Sequence, residues 1–318
     1  MLRIKHNFCP IKSRVTFGVL LFFISGAALF CPGCSEATSK KTEYKRPTGE
    51  EFNNYWFQGL AEISRFDLEQ ARYGEIHKGD AVLIYVTEEF FSDKQVKSEL
   101  VKQPGAVPVL KLNFVRNFIT GIYPYSMMSS IFTPVNRRQH PQSLKVTTSV
   151  QEWCGQTFTQ FNFREDQYHI VLHSYFMDEA DQDYTVDRAQ LEDDIWTLIR
   201  LDPLLLKTGE MKLIPGSQFS RLKHIEQKVE KAEASLTEEK ALYVYAIVYR
   251  DIPRELVIKF KKEFPYQIME WEETSARDKG PDQSILTTRA VRTHVMLVDY
   301  WNKKSVGDLE IRKKLGLK

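Results

Sequence analysis

Cys154 is the one cysteine that lies beyond the first 34 residues, and the residues around it include types that could assist a thiol nucleophile. Gln151 precedes it, and His294 and Asn302 follow it much later in the chain. A cysteine attacks its substrate as the thiolate, which needs a nearby histidine or helix N-terminus to lower its pKa. Cys154 and His294 are therefore the candidate catalytic residues of this sequence.

The secondary structure expected after Cys154 argues against that chemistry. The residue set resembles that of papain-like proteases, in which a helix begins at the cysteine. Here residues 157–163 alternate between polar and aromatic side chains, which is typical of a strand. With no helix N-terminus or neighbouring cation, nothing lowers the thiol pKa. Because free cysteines are commonly buried, we expect Cys154 to be a buried structural residue.

Two histidines and a group of acidic residues suggest metal binding by their types alone. In the strand predicted over residues 168–176, His169 and His173 are about 13 Å apart, which is too far to share one ion. The acidic run lacks the glycine and the bidentate glutamate of a calcium loop. We therefore expect no metal site and no cofactor, and interpret the run as a solvated loop that contains Asp178, Glu179, Asp181, Asp183 and Asp187.

The first 34 residues have the order of a secretory signal. Basic residues occupy positions 1–14, residues 15–30 form an apolar run, and Pro32 and Gly33 follow. The run is shorter than the roughly 20 apolar residues that a transmembrane helix needs. A cleaved signal peptide is therefore favoured over a permanent membrane span.

Gly33-Cys34 is similar to the end of the lipobox of bacterial lipoproteins, in which the cysteine is acylated and becomes the new N-terminus. Cys31 and Pro32 replace the aliphatic and small residues that are usual upstream. The resemblance implies lipidation at Cys34 by acyl chains such as palmitate, which together bind a membrane firmly. The alternative is a redox pair formed by Cys31 and Cys34, since they have the C-x-x-C spacing.

The charge balance excludes one class of partner. The formal net charge is +2, but residues 1–34 contain four cations and no acid, so the rest of the chain has 40 basic and 42 acidic residues. A nearly neutral protein has no long-range field that attracts phosphate. We therefore expect no nucleic-acid partner.

Alternation with a period of two residues dominates from residue 52 onward. Leu256, Ile258 and Phe260 occupy alternate positions in one segment, and Leu110, Leu112 and Phe114 do so in another. Such spacing is typical of half-buried strands. Further strands are predicted over residues 80–87, 125–133, 144–150, 156–163, 168–176, 211–215, 241–249, 266–272 and 292–301.

One segment has a clear helical period, with Asp187 as the expected cap and Leu191, Ile195, Leu198 and Ile199 on one face. Residues 218–234 fit either a helix or a strand, and we favour a strand. Many strands and about one helix predict a mainly β fold, either an antiparallel sandwich or a strongly curved sheet that forms a partial barrel. The expected organisation is a signal peptide over 1–34, a flexible tether over 35–50 and a β-rich domain over 51–318, with a possible subdivision near residue 205.

Three segments carry a family resemblance: residues 70–75 (QARYGE), residues 81–88 (AVLIYVTE) and residues 144–155 (LKVTTSVQEWCG). They look like an uncharacterised lipoprotein family of Bacteroidota, and the likeness runs from about residue 52 to near the C-terminus. Some members are labelled septum formation inhibitor Maf, a name that belongs to nucleotide pyrophosphatases. The Ser-Pro-Arg-Arg motif of those enzymes is missing here, so the resemblance implies a location and no activity.

These observations predict a lipid-anchored protein of the cell envelope, at the outer membrane, that binds a partner and is not an enzyme. The expected partners are the membrane through the anchor and an apolar ligand, a glycan or an envelope protein. One alternative is an envelope enzyme that uses Cys154 with a histidine. Another is a structural subunit of an export or uptake complex, which a large exposed apolar surface would favour.

Overall fold

The structure is a computed structural model that describes residues 46–99, 103–276 and 285–317. The predicted signal peptide, Cys31, Cys34 and residues 35–45 of the predicted tether lie outside the described residues. All described residues belong to one compact unit. Residue 205, near the suggested subdivision, lies in a short 3-10 turn over Pro203–Leu205.

The mainly β fold predicted from the alternating pattern is confirmed, since the described residues form one large, curved and open sheet of sixteen strands. Leu256, Ile258 and Phe260 are all fully buried, as their spacing predicts. The strands are β1 (Ala61–Arg72), β2 (Glu75–Phe91), β3 (Val96–Lys97), β4 (Ala106–Thr120), β5 (Tyr123–Pro134), β6 (Lys145–Glu152), β7 (Gly155–Arg164), β8 (Gln167–Ser174), β9 (Gln182–Asp187), β10 (Gln190–Leu191), β11 (Gly209–Ile214), β12 (Glu230–Glu239), β13 (Leu242–Tyr249), β14 (Arg254–Lys261), β15 (Ile268–Ala276) and β16 (Ile285–Val298).

Strand order follows the chain except at one junction. The order across the sheet is β10-β11-β12-β13-β14-β15-β16-β1-β2-β4-β5-β6-β7-β8-β9, with β3 paired only to β2. Neighbours pair antiparallel, apart from the short parallel pair of β10 and β11. The first and last strands of the chain, β1 and β16, therefore meet in the middle of the sheet.

Within the described ranges, four short helices accompany the sheet, where the sequence predicted about one. They are α1 (Gly49–Trp56), α2 (Glu192–Leu201), α3 (Ser217–Lys223) and α4 (Leu309–Lys314). The preference for a strand over residues 218–234 is wrong for its first part, because residues 218–223 belong to α3. That helix ends at His224, whose φ of 54° places it in the left-handed region and stops the helical backbone.

The helix α2 lies inside the curved sheet, and all ten of its residues are buried. Its N-cap residue is Leu191, whereas Asp187 ends β9, so the predicted cap is wrong. The first turn consists of Glu192, Asp193 and Asp194. Carboxylates at a helix N-terminus are favoured by the helix dipole, but their burial also requires hydrogen-bond partners from the sheet.

Those partners form a buried charged network around α2. Arg254 donates from Nε to Oε2 of Glu192 at 2.9 Å and from Nη1 to Oε2 of Glu273 at 3.2 Å. Arg116 also pairs with Glu273. The network joins α2 to β4, β14 and β15, and thereby fixes the helix within the sheet.

Antiparallel order places alternate turns of the sheet at the same end. The turns after β1, β4, β6 and β8 share one end, which we call the tip end, and α3 follows β11 there. The other end holds the start of β1 and the helix α1. Arg46, the first described residue, pairs with Asp202 at that other end.

Candidate functional site

Cys154 lies at the tip end, in the turn between β6 and β7, and it is exposed. The expectation that it is buried is wrong, because a residue in a tight hairpin turn projects beyond the sheet. The Cys154 backbone amide donates to Oε2 of Glu152 at 2.8 Å. A hydrogen bond with the Glu152 carboxylate, and the negative charge of that group, raise the pKa of the Cys154 thiol. A raised pKa leaves less thiolate for nucleophilic attack.

The structure does not bring Cys154 and His294 together. His294 lies on β16 opposite Arg65, and β1, β2, β4 and β5 separate β16 from β6. Five strand spacings correspond to about 24 Å along the sheet. The His294 ring packs near Gly316 at the end of the chain, and Asn302 bonds to Asp299, so neither residue faces the thiol.

The two histidines of β8 bind separate acidic residues. His169 pairs with Asp183, and Nδ1 of His173 lies 3.4 Å from Oδ2 of Asp181. Among the described residues, no group of three or more His, Cys, Asp or Glu side chains has the geometry of a metal site. Asp181 and Asp183 of the acidic run thus pair with the two histidines of the neighbouring strand.

The tip end presents large apolar side chains to solvent. Ile122 is 82% exposed in the turn after β4, and Met177 is 90% exposed in the turn after β8. Three aromatic residues at neighbouring turns are also exposed. We call this set the tip surface: Tyr73, Ile122, Trp153, Tyr175 and Met177.

Contacts between neighbouring turns fix the aromatic members of the tip surface. The ring of Trp153 stacks on Tyr123 with centroids 6.3 Å apart, and the Tyr123 hydroxyl donates to the Tyr73 hydroxyl at 3.3 Å. The Tyr175 ring covers Gly155 so closely that a Cβ there would lie 2.7 Å from Cδ1 of Tyr175. The aromatic residues Trp56 and Tyr125, by contrast, are buried in the core.

A polar cavity of about 320 Å³ opens near the tip end, between α3 and the inner face of β7, β8 and β9. Arg221 forms part of its wall. Its Nε donates a hydrogen bond to Oγ1 of Thr157 at 2.8 Å. Glu179 lies 2.8 Å from Nδ1 of His224 and 3.8 Å from Nη1 of Arg221. Burial would raise the pKa of Glu179, but the hydrogen bonds from His224 and Ser174 and the charge of Arg221 lower it.

Ser217, which lines this cavity, bonds to a buried carboxylate. Asp193 accepts hydrogen bonds from Ser217, from the hydroxyl at 2.9 Å and from the backbone amide at 3.0 Å. Desolvation by burial raises the pKa of Asp193 to about 7, and the charges of Glu192 and Asp194 add to the rise. Asp193 therefore changes its charge near neutral pH.

A second cavity, of about 360 Å³, lies on the outer face of the sheet beneath α4. Its walls are mostly aliphatic and come from β1, β2, β4, β16 and the C-terminal segment. The residues include Ile63, Val82, Ile84, Val115, Ile311 and Leu315.

Sequence reasoning missed both the tip surface and the polar cavity. The turns of the predicted hairpins offered one usable signal, since Ile122, Trp153 and Met177 are large apolar residues where polar turn residues are usual. No such signal existed for the cavity, which combines residues from α3 with strands more than 30 positions earlier in the chain.

Comparison of the chain with protein-family models, with curated proteins and with solved structures found no match. In the part of the chain that the structure describes, no helix combines the length and the apolar character needed to cross a bilayer.

Proposed function

We propose that this protein is a lipid-anchored envelope protein without catalytic activity, which docks on another envelope protein through its tip surface. The exposure of Ile122 and Met177 carries this proposal. Large apolar side chains exposed to solvent at one end of a fold favour an interaction site there, because fully burying each of them in an interface is favourable by roughly 1.5–3 kcal/mol.

Charge at the tip end favours a protein over a bilayer as the partner. Glu75, Glu152 and Asp178 lie in or beside the same turns as the tip surface. Their carboxylates are repelled by the anionic lipids that many peripheral proteins use. A protein partner can match these carboxylates with its own donors while its apolar residues cover the tips.

The point at which the chain enters the described domain supports docking through the tip surface. Arg46 and α1 lie at the end of the sheet opposite the tips. The tip surface therefore lies at the end of the described domain opposite the point where the chain enters it.

An enzymatic role for Cys154 has less support. The thiol pKa is raised, and His294 lies on a distant strand. The exposed tip surface also agrees with the alternative of a subunit in an export or uptake complex. In that case the tip surface would contact its partner permanently, whereas our proposal requires docking only.

The docking proposal is tested by crosslinking followed by a binding measurement. A photoreactive amino acid at Met177 should crosslink in cells to one envelope protein. That protein, once purified, should bind the wild-type chain at least about 10-fold more tightly than an Ile122→Ser/Met177→Ser variant, because two apolar contacts are lost. The matched control is Val295→Ser/Leu297→Ser, which changes exposed apolar residues of β16 outside the tip surface.

Two results would contradict the proposal. One is equal affinity of the partner for the wild type and the tip variant. The other is crosslinking at Met177 to lipid alone.

The lipid anchor has its own test. Cys34→Ala should release the protein from the membrane fraction and change its processing. Membrane retention with an unchanged N-terminus would show that Cys34 is not the anchor.

A further inference from the structure

The four hairpin turns that carry the tip surface contain five carboxylates and no lysine or arginine. With their flanking positions, the turns comprise residues 73–76, 119–124, 151–156 and 174–181. The nearest cation along the chain, Arg72, is 5% exposed, and its guanidinium lies 4.4 Å from the centroid of the Tyr73 ring. The next one, Lys78, lies opposite Glu69 on β1. The turns of the tip surface therefore present negative charge.

Two of the five carboxylates are paired within the chain. Glu179 lies 3.8 Å from Nη1 of Arg221, and Asp181 pairs with His173. The other three form no ion pair with any described residue; they are Glu75, Glu152 and Asp178. Uncompensated charge on an interaction surface favours a partner of opposite charge. A partner of the tip surface therefore gains affinity by presenting cations.

The exposed rings of the tip surface favour arginine among the cations. Trp153 is 68% exposed and Tyr175 is 71% exposed, so both rings have surface that a partner can contact. A guanidinium stacks on such a ring and also donates two hydrogen bonds to one carboxylate, whereas the ammonium of lysine lacks this planar fork. Arginine therefore suits a surface on which a carboxylate adjoins a ring, as Glu152 adjoins Trp153.

The turn after β8 already holds an arginine of this chain in this way. The Arg221 guanidinium lies over Phe176, 4.3 Å from the ring centroid, and its Nη1 is 3.8 Å from Oε1 of Glu179. Phe176 and Glu179 flank Met177 and Asp178 in the same turn. Stacking of a guanidinium on a ring beside a carboxylate is thus a contact that this end of the fold makes within the chain.

We propose that the partner of the tip surface presents a basic protein segment that contains both arginine and apolar residues. Its guanidinium groups stack on the exposed rings and pair with the three unpaired carboxylates, while its apolar side chains cover Ile122 and Met177. This inference rests on the docking proposal, to which it adds the charge and the main residue type of the partner.

The proposal is tested with peptide probes on the purified full-length protein in an uncharged detergent. The labelled peptides share the same leucine and glycine positions and differ only in carrying arginine, lysine, glutamine or glutamate between them. By fluorescence anisotropy, the arginine peptide should bind most tightly, at least about 10-fold more tightly than the glutamine peptide, and its affinity should fall as NaCl is raised. Equal or tighter binding of any other peptide, or no binding of the arginine peptide, would overturn the proposal.

Neutralisation of the unpaired carboxylates tests their role. Glu75→Gln/Glu152→Gln/Asp178→Asn should weaken binding of the arginine peptide about 3- to 30-fold, since each exposed ion pair contributes modestly. Thermal unfolding should change little, because these side chains lie in surface turns, and it checks that the variant is folded. Equal affinity of the wild type and this variant for the arginine peptide would count against the assigned ion pairs and overturn the proposal.

The matched control neutralises three exposed acids at the opposite end of the sheet, in Glu50→Gln/Asp93→Asn/Glu165→Gln. It changes the net charge by the same amount, so it should leave the affinity for the arginine peptide unchanged. Equal weakening by the two triple variants would show that net charge alone attracts the peptide and would overturn the site.

Failure of this proposal is distinguishable from failure of docking. If Ile122→Ser/Met177→Ser weakens all the peptides but their affinities are alike, docking through the tip surface stands and the basic partner is overturned. If the arginine peptide is preferred but the photoreactive residue at Met177 crosslinks only to lipid in cells, the charge preference of the tip surface stands and docking on a protein is overturned.

Discussion

Arg200 on α2 and Glu62 on β1 form a bidentate ion pair in the interior, with Nη1 to Oε1 and Nη2 to Oε2 both at 2.7 Å. Their side chains are 1% and 0% exposed. Glu62 also accepts a hydrogen bond from Tyr55 of α1. Burial alone would raise the pKa of Glu62, but the charge and hydrogen bonds of Arg200 lower it to about 2. The pair therefore stays charged and joins α1, α2 and β1.

Glu62→Gln should destabilise the protein strongly. The substitution leaves the buried Arg200 guanidinium without its counter-charge, which costs about 3–5 kcal/mol in comparable pairs. Urea unfolding at neutral pH measures the change. Glu310→Gln is the control, since Glu310 pairs with Lys313 on the surface and should matter little. Similar, small effects of both substitutions would show that the buried pair does not stabilise α2.

Asp193→Asn should remove a pH dependence of stability. The pKa of Asp193 is raised from 3.8 to about 7 in the folded protein, so folding favours the protonated acid. The free energy of unfolding should therefore fall as pH rises from about 4 to about 7, by on the order of a few kcal/mol. Asparagine stays neutral and can still accept a hydrogen bond from the Ser217 amide.

The measurement is urea unfolding of the wild type and Asp193→Asn at about pH 5 and about pH 8. The variant should gain stability relative to the wild type at the higher pH. Equal differences at both pH values would mean that Asp193 ionises normally in the folded protein.

Much of the fold followed from the sequence because half-buried strands impose a local pattern. Leu256 and Ile258 alternate with less buried neighbours along one strand, so no distant partner is needed to recognise them. The helix α2 was found from Ile195, Leu198 and Ile199 for the same reason. Local periodicity cannot show that α2 is buried on all sides.

The acidic first turn of α2 illustrates what the sequence could not show. Glu192 and Asp193 are typical of a solvated helix start, yet both are buried. Their partners, Arg254 and Ser217, lie far along the chain, and only the curvature of the sheet around α2 brings them together. The polar cavity was missed for this reason too.

Cys154 was placed in the core because its residue type is commonly buried, although a hairpin turn exposes it.

Glu152→Gln should make Cys154 more reactive. The Glu152 carboxylate raises the thiol pKa through a hydrogen bond and its charge, so its neutralisation should increase the thiolate fraction at neutral pH. Alkylation by iodoacetamide, followed across a pH series, should shift to lower pH in the variant. Glu75→Gln, at another turn of the tip end, should leave the profile unchanged. An unchanged profile in Glu152→Gln would exclude this carboxylate as the cause.

The thiol of Cys154 also reports directly on whether the tip surface is covered, because it neighbours Trp153. The decisive measurement is the rate of maleimide labelling of Cys154 in native envelopes and in purified protein, each corrected with Cys154→Ser. A docked partner predicts labelling at least about 10-fold slower in envelopes than in purified protein, and recovery of the rate in Ile122→Ser/Met177→Ser. Equal rates in envelopes and in purified protein would contradict docking through the tip surface.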